Sequence, residues 1–301
     1  MPYLGETLAM SAALFWAIGV IYFKKSGDIM SPLSLNMFKN IVAIILLSLT
    51  IPVFGSMFPS SGEEFFPDQP LSAWIILAFS GFIGIALADT LFFIALRKLG
   101  ASLTAVVDTS YTPLTVSLSF IFLGERLEPL ALFGAALIVG ALLVGTAAKP
   151  EPGRTRRDVI LGTVIGVSGM LLMAIGILMM KGPLNNAPLL WSTWVRLVLG
   201  SLGLLIIIML SPKRRSLMAA MKPSKLWKIA IPASIFGTYL SLIAWMGGMK
   251  FTKVAIATPL NQLSTIFIFI LALVILKEPL TWRRVLAIIL AFAGALLVVL
   301  R

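Results

Sequence analysis

The sequence predicts an all-α polytopic membrane protein: ten transmembrane helices arranged as two inverted five-helix repeats around a central cavity. Three observations carry that prediction. Of the 301 residues, 59% are hydrophobic and only 12% are charged, about half the charge of a soluble domain. Ten runs reach the roughly 20 apolar residues that span a bilayer. The first half of the chain also returns in the second.

The ten runs lie at 4–23, 33–53, 71–96, 101–123, 128–148, 159–180, 189–210, 227–249, 253–276 and 280–300. Most connections between them are short. One exception, Ser56 to Pro70 (SMFPSSGEEFFPDQP), is Pro-rich and acidic and reads as an exposed loop. The other, Lys149 to Asp158 (KPEPGRTRRD), has the Pro, Gly and charge content of a linker. It divides the chain into a first repeat at 1–148, a cytoplasmic linker at 149–158 and a second repeat at 159–301. A shift of 157 maps Ala17-Ile18-Gly19 onto Ala174-Ile175-Gly176, Lys24 onto Lys181 and Lys39 onto Arg196. A shift of 153 maps Asp108 onto Asn261, Thr112 onto Thr265 and Glu125 onto Glu278, and 154 superposes the GALLV that starts at Gly140 on that at Gly294. Repetition at half the chain length marks a transporter built from two related bundles. Five helices per half is an odd number, so the halves take opposite orientations in the membrane.

Composition removes several kinds of chemistry. The chain has no Cys and no His, which excludes disulfides, thiol catalysis, His-based metal sites and a His proton relay. No cofactor is expected. A net charge of +12 would suit nucleic acid, but the basic residues sit at helix ends, where they set topology and meet lipid headgroups. No nucleic-acid partner is therefore expected. The N-terminus, MPYLGETLAM, lacks the positive n-region of a cleaved signal peptide. Loops after odd-numbered helices hold 17 of the 24 Lys and Arg, the opposite side holds 5, and Lys39 and Arg196 lie inside helices. The positive-inside rule then places both termini outside the cytoplasm, on the same side as the acidic loop carrying Glu63, Glu64 and Asp68.

Charges within lipid-spanning helices are costly and face the bundle interior. Lys39 lies about 9 Å into the second helix, and Asp89 and Asp108 about 11–12 Å into the third and fourth, at 1.5 Å per residue. Three charges from three successive helices share one level. Lys39 either pairs with one aspartate as a structural ion pair or snorkels to the headgroups; in the functional reading the aspartate left without a full partner titrates or meets a cationic substrate. In the second half Arg196 replaces Lys39, Asn261 replaces Asp108 and Leu242 replaces Asp89. On the fourth helix Thr104, Asp108, Tyr111, Thr112, Thr115 and Ser119 recur at three- or four-residue steps and share a face. Pro113 and Pro259 each remove a backbone hydrogen bond near this polar cluster and are expected to kink their helices. The candidate substrate-binding residues are Trp16, Asp89, Asp108, Tyr111, Thr112, Tyr239, Trp245, Asn261, Gln262 and Thr265. The candidate charge and coupling residues are Lys39, Asp89, Asp108 and Arg196. The cavity is expected to be lined by helices one, three, four, six, eight and nine, with five and ten at the periphery.

Taken together, these features resemble the drug/metabolite transporter superfamily, specifically its EamA-like members. The resemblance covers essentially the whole chain. It rests on Glu125 in LGERLEPL, Glu278 in LKEPLTW, Gly140 and Gly294, Pro113, and the basic pair Lys39 and Arg196. Two positions depart from the pattern: Lys39 stands where Arg is usual, and Met173 stands opposite Trp16 where a second tryptophan is common. The resemblance implies a secondary transporter that moves a small metabolite, such as an amino acid or similar amphipathic compound, by alternating access, often as an exporter. Its expected setting is a bacterial or archaeal inner membrane. The expected partners are the small-molecule substrate, membrane lipids and coupling protons, with the protein a monomer or homodimer. Two other readings stand beside it: a flippase for a lipid or lipid-linked substrate, and a membrane-embedded enzyme using Asp89 with Asp108.

The orientation is testable in this Cys-free background. Cysteines at Arg154 and Arg214 should resist an impermeant thiol reagent in intact cells, while one at the N-terminus reacts. Labelling of position 154 from outside would reverse the topology.

Overall fold

The computed structural model describes residues 3–54, 69–123, 129–147, 154–222, 224–252, 254–279 and 281–299. The acidic loop as far as Asp68, Glu125 and most of the linker lie outside these residues. The described chain is helical without strands, as hydrocarbon demands, because an α-helix satisfies its backbone groups within itself. In order the helices are α1 (Leu4–Gly27), α2 (Pro32–Phe54), α3 (Leu71–Leu99) and α4, in two stretches (Ala101–Asp108 and Tyr111–Leu123). The rest are α5 (Pro129–Thr146), α6 (Arg156–Asn186), α7 (Leu189–Leu210), α8 (Trp227–Phe251), α9 (Val254–Leu271, continued by Ala272–Leu276) and α10 (Trp282–Val299). Each matches one of the ten apolar runs. Among the described residues seven of them, α1–α3 and α5–α8, are single helices long and apolar enough to cross a membrane. A short helix, Arg214–Ala219, interrupts the basic connection between α7 and α8.

The two repeats are exchanged in space. α1 packs on α8 and α9 of the second repeat, and α6 packs reciprocally on α3 and α4 of the first. Likewise α2 lies against α7 and α8, and α7 against α2 and α3. α5 and α10 pair with each other, leaving Leu132, Phe133, Leu143 and Ile289 exposed, which suits lipid. The core, with Ala17, Phe38, Phe92, Ala105, Met170, Ala233 and Ile268, draws on seven helices from both repeats.

Small residues set these crossings. A Cβ on Gly19 would stand 2.2 Å from the Gly237 Cα, and one on Gly176 would stand 3.1 Å from the Ser80 carbonyl oxygen and 3.4 Å from the Gly84 Cα. The shifts of 157 and 153 exchange the two pairs, so α1–α8 and α6–α3 are equivalent crossings. Both meet a π-helical stretch, Phe82–Ala88 in α3 and Ile235–Leu240 in α8, which begin at positions related by the same 153 shift. No sequence pattern predicts these stretches.

Two local features depart from uninterrupted helix. α4 breaks at Thr109–Ser110, because the Pro113 ring clashes with the carbonyl four residues back, that of Thr109. The backbone tightens there to three-residue bonds, Ser110 N to Val107 O at 3.0 Å and Thr112 N to Thr109 O at 3.2 Å. α9, in contrast, is continuous helix through position 259. Between α3 and α4 the chain turns on Gly100 alone, at φ 84°, a conformation disfavoured for residues with a Cβ. The exposed N-terminus of α4 is closed by Glu278 of the other repeat. Its carboxylate accepts from Ala101 N (2.7 Å), Ser102 N (3.0 Å) and Ser102 Oγ (2.5 Å), with Arg284 3.7 Å away. This anion meets the positive end of the helix dipole.

The crossings predict a contrast between two glycines. Gly19→Ala should lower stability by about 1–3 kcal/mol, because backbone rather than a flexible side chain must yield. Gly140, with nothing within 4 Å of an added Cβ, should accept Ala without loss. Melting of the purified protein checks this, and equal effects would refute the tight crossing.

Candidate functional site

The crossings leave a cavity between the repeats, with about 1040 Å³ of empty space counting the open solvent at its mouth. Eight helices line it. Trp16 comes from α1, Lys39 from α2, Ile85, Asp89 and Phe92 from α3, and Asp108 and Tyr111 from α4. From the second repeat come Met170, Met173 and Ile177 of α6, Arg196 and Leu197 of α7, six residues of α8 including Leu242 and Trp245, and Asn261 and Gln262 of α9. Neither α5 nor α10 contributes. The expected set of six lining helices is therefore corrected to eight: α2 and α7 join it, because Lys39 and Arg196 reach inward to find polar company.

The Lys39–Asp89 ion pair, Nζ to Oδ2 at 2.7 Å, decides which aspartate is neutralised. Lys39 is 4% exposed. It also donates to Asn40 Oδ1 at 2.8 Å and lies 5.8 Å from the Phe93 ring centre. Asn36 braces the adjoining π stretch, donating to the Ile85 carbonyl at 2.8 Å and to Thr90 Oγ1 at 2.9 Å. A π turn loosens the regular backbone ladder and is frequent at functional sites; here side-chain amides supply partners. Asp108 makes no such pair. Its carboxyl interacts with the indole N–H of Trp16, whose ring is tilted over Phe92 at 5.2 Å. Tyr111 opens the second stretch of α4, within electrostatic reach of both Asp108 and Arg196. Arg196 is 4% exposed, and its Nε donates to Ser80 Oγ at 2.9 Å.

The sequence-predicted residues separate into three groups. Trp16, Lys39, Asp89, Asp108, Tyr111, Arg196, Trp245, Asn261 and Gln262 all face the cavity. Thr112 is buried behind Tyr111 and accepts from Gln262 Nε2 at 2.6 Å, joining α4 to α9 across the repeats. Tyr239 and Thr265 are corrections, since neither lines the cavity. Tyr239 hydrogen-bonds Thr50 and packs with α2 residues Ala43 and Leu47, because the π stretch rotates it out of α-helical phase. Thr265 is fully covered, one turn beyond Asn261. Sequence reasoning missed Asn36, which lies three residues before Lys39 and so shares its face, and Asn40, which follows Lys39 directly and lies one turn from Asn36. It also missed Ser80, for which the sequence carries no signal.

A bundle of inverted repeats enclosing a charged, part-apolar cavity at their interface defines a membrane transport protein. The chain belongs to the EamA-like transporter family, whose family model matches it twice, at residues 3–146 and 160–300, and it is an integral membrane protein. Among solved structures 26 chains match. One, titled "Crystal structure of protein", is 17% identical with a TM-score of 0.70, covering 97% of this chain and 94% of that one; at that identity it shows the fold alone. No curated protein matches the sequence.

The ion pair makes a prediction by double mutation. Lys39→Met or Asp89→Asn alone should each cost roughly 3 kcal/mol, because the remaining partner is stranded in a poorly solvated site. The combined variant should melt closer to wild type than either single. A double variant no more stable than the singles would mean that the two residues act separately.

Proposed function

We propose that the protein is a secondary active transporter that moves a small metabolite, an amino acid or similar amphipathic compound, outward by alternating access. The observation that carries this reading is a cavity walled by eight helices of both repeats, with charged groups set in a largely apolar lining. Such a site offers a polar substrate a partner for each charge while removing its apolar part from water.

The exchanged packing supports alternating access. At one end α1 meets the end of α8, with Gly5 against Thr252 and Thr252 Oγ1 donating to Glu6 at 3.0 Å. At the other, α6 meets the end of α3, with Gly162 against Leu99 and Lys98 paired with Asp158 at 2.7 Å. Because the repeats make these contacts equivalent, loosening one while tightening the other exposes the same cavity to opposite sides. Asp108 is the coupling group in this reading: among the described residues no Lys or Arg lies within ion-pair distance of it. Its repeat mate Asn261 cannot titrate, which confines proton chemistry to the first repeat.

Reconstituted vesicles test both parts. Wild type should exchange radiolabelled apolar amino acids and accumulate them under a pH gradient, without scrambling fluorescent lipid. Asp108→Asn should keep exchange and lose gradient-driven accumulation. Accumulation at the wild-type rate in Asp108→Asn would end the coupling role, and lipid flipping without amino-acid flux would replace the substrate class.

A further inference from the structure

Arg196 is a cation built for a partner the protein does not supply. Its guanidinium is buried and its direction is fixed at one edge. Nε donates to Ser80 Oγ at 2.9 Å, and Ser80 Oγ donates in turn to the Gly176 carbonyl at 2.6 Å. Among the described residues no protein atom accepts a hydrogen bond from Nη2. Room for that nitrogen is kept by Gly84, where a Cβ would lie 2.5 Å from it. Among the described residues no carboxylate is within ion-pair distance. Asp89 is within electrostatic reach of Arg196, but its Oδ2 is held by Lys39, and Asp108 faces Trp16.

The repeat shows what is missing. Lys39 and Arg196 are mates under the shift of 157, and Asp89 and Leu242 are mates under 153. In the first repeat the cation has its anion. In the second the cation remains, while the anion's place is taken by Leu242, which lines the cavity with Arg196. A buried cation left without an anion is expensive, and a guanidinium offers paired donors that match the two oxygens of a carboxylate.

Granting that this cavity is the transport site, we propose that Arg196 is its anion-binding subsite. The substrate docks a carboxylate on the free edge of the guanidinium and lays an apolar body against Met173, Ile177, Leu242 and Trp245. The substrate thereby stands where the first repeat has Asp89. This sets a specificity rule: a single carboxylate on an apolar frame is taken, and its uncharged amide is not.

The probes are phenylpropionate and phenylpropionamide, titrated against the purified full chain by thermal stabilisation and by tryptophan fluorescence. The acid should bind wild type at least about tenfold more tightly than the amide, as expected for a hydrogen-bonded charge. Arg196→Gln should erase that preference. Leu242→Asp restores the first-repeat arrangement, so it should raise the unliganded melting temperature and abolish acid binding. That second variant decides the matter should Arg196→Gln fail to fold. Equal affinity for acid and amide, no binding of either, or undiminished acid binding in Leu242→Asp would each overturn the subsite. These readouts need no flux: acid binding without transport in vesicles would defeat the transporter reading alone, and transport indifferent to the carboxylate would defeat the subsite alone.

Discussion

The close backbone contact of Gly19 with Gly237, and its mate Gly176 with Gly84, is the constraint on which the rest of the architecture depends. Lipid gives apolar helices no hydrophobic reason to prefer one another over acyl chains, so association rests on close packing and hydrogen bonds. A glycine facing a glycine lets two backbones approach as no other pair of residues can. Each crossing joins the first helix of one repeat to the π stretch of the other. The repeats are thereby interleaved rather than set side by side, and the cavity lies at their shared interface.

Within that frame the charged groups follow a single economy. A buried charge needs a counter-charge or a use. Lys39 and Asp89 satisfy each other, and Asn36 and Asn40 complete the polar cluster around the π stretch. The second repeat inherited the cation and not the anion. The symmetry is broken at this point: a duplicated fold supplies two equivalent sets of interhelical contacts, while unequal residues at matched positions give one cavity two chemically different walls. Asp108 opposite Asn261 is a second inequality of the same kind.

Much of this was legible in the sequence because the lipid environment narrows the options. Every apolar run of spanning length had to be helical, and among the described residues each of the ten is, the fourth in two stretches. Charges within those runs had to point inward, and Lys39, Asp89, Asp108 and Arg196 share one cavity. The misses have local causes. Tyr239 lies at the level of the cavity but hydrogen-bonds Thr50 of α2 instead, and depth in the membrane does not say which way a side chain faces. Thr265 shares a face with Asn261, but sharing a face does not say where along it the cavity ends.

The sequence by itself determined the class of fold, the number of helices, the duplication and the four charges of the cavity, though not the buried Glu278 and Arg284. These follow from hydropathy and from matching residues, which are properties of single positions and local stretches. Tertiary structure alone decided that Lys39 takes Asp89 rather than Asp108, that Ser80 fixes Arg196, and that Gln262 reaches Thr112 across the repeats. Each of these is a distance between helices remote in the chain. Such distances are set by how closely small residues let the helices approach, which is a property of pairs of surfaces and is written in neither surface alone.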